Sequence, residues 1–276
     1  MGNKNSFIKK NKVYIGSMSI LLLLVIAGIV IPGPFQNFTN NLTQQITKKF
    51  GWFYLLLVTG ILIFLFYLIV SPIGQIRLGN PNSRPDHSTK SWIAMMFSAG
   101  MGIGLVFYGA AEPLSHYAIN TPEAATGTAD ALADSFKYTF FHWGIHAWGV
   151  YAIVGLALAY FGFRKQEKYL LSATFKPLVG DKTDGFIGKL IDTITIVATV
   201  IGVATTLGFG ASQINGGLSF LFGIPNNFKV QTTIIIITTV LFVMSALSGL
   251  GKGVKILSNL NLILAIGLLA IAIVVG

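Results

Sequence analysis

"AGMGIGLVFYGAAEPLSHY", Ala99 to Tyr117, is the stretch on which the reading of this chain turns. Gly100, Gly102, Gly104 and Gly109 interrupt an apolar run, and Glu112 and Pro113 follow before any long polar loop. Glycine inside a helix is about 1 kcal/mol worse than alanine. A backbone group left unpaired in hydrocarbon costs several kcal/mol more. Two readings reconcile the glycines with a membrane. Small residues let neighbouring helices approach closely, or a local unwinding frees carbonyls to bind an ion or substrate at mid-membrane. Alternate positions point to different sides of a helix, more than packing one face requires. Periodicity alone leaves the two readings balanced. "GMGIG" is not a dinucleotide loop, because no strand precedes it and no βαβ unit surrounds it.

The context of this run is lipid. The 276 residues are 53% hydrophobic and 10% charged, against about 25% charged in a soluble domain. A spanning helix needs roughly 20 mostly apolar residues. The runs Tyr14–Ile31, Trp52–Val70, Trp92–Ala111, Phe140–Phe163, Ile191–Leu221, Thr232–Leu247 and Ile256–Val275 supply about seven. The fifth is long enough to be tilted or broken. Barrel strands would alternate over about 10 residues, so the expected fold class is an all-α polytopic membrane protein. The first run, preceded by Lys9, Lys10 and Lys12, lacks a small-residue cleavage pattern and reads as a retained helix.

The net charge of +10 is first a topology signal. Of the 19 Lys and Arg residues, only Lys48, Lys49, Lys137 and Lys229 fall on one side of the expected membrane. Positive residues stay cytoplasmic, which puts the N-terminus inside and the end of the seventh span outside. No nucleic-acid partner is needed to explain the charge. The absence of cysteine removes disulfides, thiolate metal sites and a Cys nucleophile together.

The chain reads as a single transmembrane domain over residues 1–276, with a cytoplasmic tail at 1–13 and two leading helices at 14–90. Its longest polar connection, Arg164 to Lys189, mixes basic and apolar residues, as an interfacial helix or an ordinary loop would. A helix start is expected near Ser88–Ser91. The sequence ends at "AIAIVVG" without a polar tail, which reads as a chain cut short.

Two further constellations carry chemistry. In "FHWGIHAWGVY", at about 100° per residue and with Trp143 at zero, Tyr151 falls near 80° and Trp148 near 140°. One continuous helix would gather all three on one sector, with His142 and His146 opposite. An aromatic face suits a permanent cation, each contact contributing about 0.5–2 kcal/mol. His142 and His146 have metal-pair spacing but no intervening Glu and no third ligand, so packing is the simpler reading. Glu112 is most simply a cap at the outer surface, and Asp192 a dipole partner at the start of the fifth span. Thr199, Thr205 and Thr206 can bond back to their own helix or meet a sodium ion. No Ser-His-Asp set, paired carboxylate or phosphate loop appears, so an enzyme is not expected.

The blocks "MMFSAGMGIGLVFYGAAEPLSHY", "FHWGIHAWGVYAIVGLALAY", "KLIDTITIVATVIGVATTLGFGASQI" and "SALSGLGKGVKILSNLN" resemble the betaine/choline/carnitine transporter (BCCT) family, in order and over nearly the whole chain. The resemblance implies a twelve-helix LeuT-like fold with two inverted repeats. Residues 91–276 would form the first five-helix repeat, and the second would be absent. It implies sodium-coupled, alternating-access uptake of a quaternary ammonium osmolyte for osmotic protection: glycine betaine first, then choline or carnitine. The setting would be a bacterial plasma membrane, with sodium as coupling ion, no other cofactor, and a second copy of the chain among the partners to consider. By the same resemblance Trp143, Trp148 and Tyr151 match the aromatic substrate cage, with Gly102 and Gly104 beside the substrate. Ser98 and Met101 match positions whose carbonyls help hold sodium. Thr199 matches one threonine of a further sodium site, whose usual partner is Val203 here. Members with an acid at the position of Gly104 tend toward proton-coupled choline uptake, and glycine there resembles the sodium-coupled betaine carriers.

Two rivals remain. A transport-inactive fragment of such a carrier would share every motif. A seven-helix receptor or retinal protein predicts an outside N-terminus and, for retinal, a lysine in the last span, and Ile256–Val275 contains none.

Overall fold

The computed structural model describes residues 11–100, 102–249 and 253–275. Every regular element among them is helical: α1 Lys12–Val30, α2 Pro32–Val70, α3 Thr89–Gly100, α4 Ile103–Ala118, α5 Ala129–Trp143 and α6 Ile145–Ala159. A π-helical turn, Tyr160–Arg164, closes α6. The short α7 Leu171–Thr174 and α8 Lys176–Val179 follow, then α9 Phe186–Phe222, α10 Phe228–Ser248 and α11 Lys255–Val275. Six helical stretches among the described residues are long and apolar enough to cross a membrane, the joined Ala129–Arg164 among them. The third expected span is divided between α3 and α4.

The boundaries correct the sequence reading in two places and show the fifth expected span unbroken. Residues 32–51 are not a connection: α2 runs unbroken for 39 residues, about 58 Å at 1.5 Å per residue. Its first turn carries Pro32 and Pro34, and Pro32 supplies a backbone preset for a helix start. The fifth expected span is likewise one continuous helix of 37 residues, α9. The fourth is not continuous, since Gly144 separates α5 from α6 with φ −84 and ψ −154. The start expected near Ser88 stands, with the Ser91 amide donating to Ser88 Oγ at 3.4 Å.

The chain divides into two compact units, residues 1–83 with 141–201 and residues 84–140 with 202–276. In the first, α2 packs along α6, and α1 also meets α2. Gly149 makes the α2–α6 approach work. A Cβ there would lie 2.6 Å from the Leu62 side chain, and Leu62 is buried. In the second unit α11 packs along α3. The turn after α9 is held by Asn215, whose Nδ2 donates to Pro225 O at 3.1 Å and whose Oδ1 accepts from the Asn227 amide at 3.2 Å. Asn227 then caps α10 by accepting from the Val230 amide. Leu62, Ala94, Ala131, Ala173 and Ala211 are the buried apolar residues among those described. Most large apolar side chains face outward, as hydrocarbon rewards and water would not.

Candidate functional site

The opening stretch is interrupted where its glycines cluster. Helix α3 ends at Gly100 and α4 begins at Ile103, with Gly102 extended between them (φ −80, ψ 174) and its carbonyl accepting from the Val106 amide at 3.3 Å. Met101 lies outside the described residues, and Gly104 falls in the first turn of α4. A Cβ at Gly102 or Gly109 would meet nothing within 4 Å. Among the described residues nothing packs closely on these two glycines, whereas Leu62 packs closely on Gly149. A helix end leaves its last carbonyls without intrahelical partners, and a helix start does the same for its first amides. The break thus sets a partial negative end, with Ser98 in the last turn of α3, against the partial positive start of α4. Such a junction can hold a cation on one side and a carboxylate on the other.

Ser98 is tied down by α11. Its hydroxyl donates to Ser258 O at 3.2 Å and accepts from Asn261 Nδ2 at 3.1 Å. Ser258 is buried. Asn261 and Ser258 were not singled out by sequence reasoning, although "ILSNLNLIL" sets three polar residues inside an apolar span, where such side chains hydrogen-bond across helices.

Trp143, Trp148, Tyr151 and Thr199 belong to the first unit, and Ser98, Gly102 and Gly104 to the second. The break at Gly144 removes the single-helix wheel on which the three aromatics shared a sector. Trp148 and Tyr151 remain on α6, their ring centroids 5.8 Å apart and both side chains exposed. Trp143 ends α5, half-buried, its ring 4.7 Å from that of His142. It reaches Trp148 through its backbone, as the carbonyl accepting from Trp148 Nε1 at 3.0 Å. His146 lies against Phe141 at 4.9 Å, and among the described residues no three His, Asp or Glu side chains gather as a metal site. Thr199 Oγ1 donates back to Thr195 O at 2.7 Å, and Thr206 to Gly202 O at 3.0 Å.

Two acids take different positions from those expected. Glu112 is not a cap: it sits inside α4, buried, with Oε1 3.4 Å from His116 Nε2. Asp192 is the seventh residue of α9 rather than its first. It is buried and accepts from Ser172 N at 3.1 Å and Ser172 Oγ at 2.9 Å. The Arg164–Lys189 connection is thereby folded onto α9. It carries an exposed pair between Lys168 and Asp184 (2.8 Å) and a half-buried one between Lys176 and Glu167 (2.6 Å). The hydrogen bond from Lys168 holds the Asp184 carboxyl below its ordinary value, and the same bond raises the Lys168 ammonium.

The sequence profile of the BCCT, betaine/carnitine/choline family transporters matches residues 12–276. The chain belongs to this family. It is 56% identical over 259 residues to a glycine betaine transporter of Bacillus subtilis, covering 94% of this chain and 51% of that protein. It is 45% identical to a glycine betaine transporter of Acinetobacter baylyi (94% and 39% covered). It is 42% identical to an ectoine/hydroxyectoine transporter of Virgibacillus pantothenticus (91% and 50% covered). The chain thus spans about half the length, or less, of these relatives. The BCCT family consists of transporters, not enzymes, and the apolar helices make this member a multi-pass membrane protein.

Proposed function

We propose that the carrier built from this sequence takes up glycine betaine or a related trimethylammonium solute, coupled to sodium, by alternating access across a bacterial plasma membrane with the N-terminus inside. The observation that supports this best is the exposed Trp148–Tyr151 pair, with centroids 5.8 Å apart. Two ring faces attract a permanent cation through their quadrupoles, at about 0.5–2 kcal/mol per contact. Trp143 completes the cage from the end of α5. Gly102 and Gly104, at the start of α4, are further proposed substrate-binding residues. Carbonyls of Ser98 and Met101, with Thr199 at a further site, are the proposed sodium ligands. The glycine betaine named for two relatives favours that solute over choline or carnitine. Sodium at the break would stabilise the substrate-ready arrangement, and rocking of repeats would alternate access.

The test is uptake of radiolabelled glycine betaine at micromolar concentration in bacterial cells lacking their own carriers. Trp148→Leu, in a carrier containing this sequence, is expected to abolish sodium-dependent accumulation. Unchanged uptake would reject the cage.

A further inference from the structure

We infer that Gly144 is a positioning residue for the aromatic pair: the helix break it creates supplies the backbone acceptor that orients the Trp148 indole. The inference rests on the proposed cage only for its consequence in substrate binding. The indole N–H is a donor with no acceptor capacity, and in an apolar setting it needs a partner. An unbroken helix offers it a carbonyl three residues back, as Lys49 O serves Trp52 in α2, rather than one five residues back. Were α5 and α6 continuous, the Trp143 carbonyl would belong to the Ala147 amide. Instead Gly144 is extended, α6 restarts at Ile145, and the Trp143 carbonyl accepts from Trp148 Nε1 at 3.0 Å. That bond closes a ring across the break and sets the indole plane that faces Tyr151 at 5.8 Å. The φ and ψ of Gly144 are open to any residue, so glycine is not demanded by strain. Its role is to disfavour the continuous helix. Alanine there would shift the local balance toward that helix about fivefold.

The chain holds four tryptophans, Trp52, Trp92, Trp143 and Trp148, so 15N-tryptophan labelling of the 276-residue chain in lipid nanodiscs gives four indole signals. Each is assigned by its Trp→Phe variant. Gly144→Ala is expected to move the Trp148 signal as the local balance shifts about fivefold toward the continuous helix and the indole changes acceptor. The Trp52 signal, from an indole bonded to Lys49 O, should stay in place and report an intact fold. Ile145→Pro keeps the break, because proline suits the first helical position and holds the preceding residue extended. Alone it should leave the Trp148 signal unchanged, and combined with Gly144→Ala it should restore it. Trp143→Phe, which retains the carbonyl, should also leave it unchanged. A Trp148 signal indifferent to Gly144→Ala, or one that Ile145→Pro alone displaces or fails to rescue, overturns the inference. Glycine betaine added to the wild-type chain tests the cage separately, because the Gly144 readout needs no substrate.

Discussion

Asp192→Ala should loosen the Leu170–Thr174 segment without opening α9. Asp192 accepts two hydrogen bonds from Ser172, at 3.1 Å from the amide and 2.9 Å from the hydroxyl. Ser172 is 4% exposed and Asp192 9%, so water is poorly placed to substitute. Stranding a buried donor costs about 1–3 kcal/mol, and two donors are stranded, giving roughly 2–6 kcal/mol. Against this, removing the carboxylate relieves its own desolvation, which is several kcal/mol for a buried ion. The net falls at the low end, about 2 kcal/mol, or about 30-fold in the local opening equilibrium. Hydrogen exchange of peptides covering residues 168–176, in lipid nanodiscs, reads that equilibrium directly. Asp192→Asn keeps one acceptor oxygen and should cost about half as much. Exchange within twofold of wild type in Asp192→Ala, with α9 still protected, would refute the assignment of Asp192 as the anchor of this connection.

The Ser98–Asn261 bond should show a coupling energy of about 0.6 kcal/mol, the average for hydrogen bonds between membrane helices. A double-mutant cycle of Ser98→Ala and Asn261→Ala, read by unfolding in mixed micelles, measures it, and strict additivity would count against the bond. The Lys168–Asp184 pair sets a pH window. Asp184 is lowered by Lys168, so its contribution is complete above the unfolded carboxylate value of about 3.9 and disappears as pH falls through the lower folded value. Lys168 is raised, so its contribution is complete below about 10.4 and disappears only above that. Exchange of residues 180–185 should therefore show no pair-dependent change from pH 5 to 9 once corrected for intrinsic rates. Added salt should loosen it by screening, and Asp184→Asn should remove the salt effect. The absence of native cysteine makes orientation measurable: Lys182→Cys should react with an impermeant maleimide only after permeabilisation, and Thr126→Cys in intact cells.

Much of this protein is set by composition and run length. Low charge and repeated apolar stretches leave helices as the spanning solution, because the backbone of each must satisfy itself in hydrocarbon. The polar residues 32–51 misled, since polarity ended the apolar run without ending the helix. "AGMGIGLVFYGAAEPLSHY" announced an anomaly, but glycine spacing could not separate close packing from a break. Tertiary structure adds what spacing lacks: among the described residues Gly149 has a side chain pressed against its missing Cβ, Gly102 is extended between α3 and α4, and Gly109 lies inside α4. The helical wheel that united Trp143, Trp148 and Tyr151 assumed a continuous helix, and one extended residue, Gly144, replaces side-chain alignment with a carbonyl-to-indole bond. Ser172–Asp192 and Ser98–Asn261 join residues 20 and 163 positions apart. Local pattern carries no information at such separations, because it is helix packing that brings those polar atoms within reach.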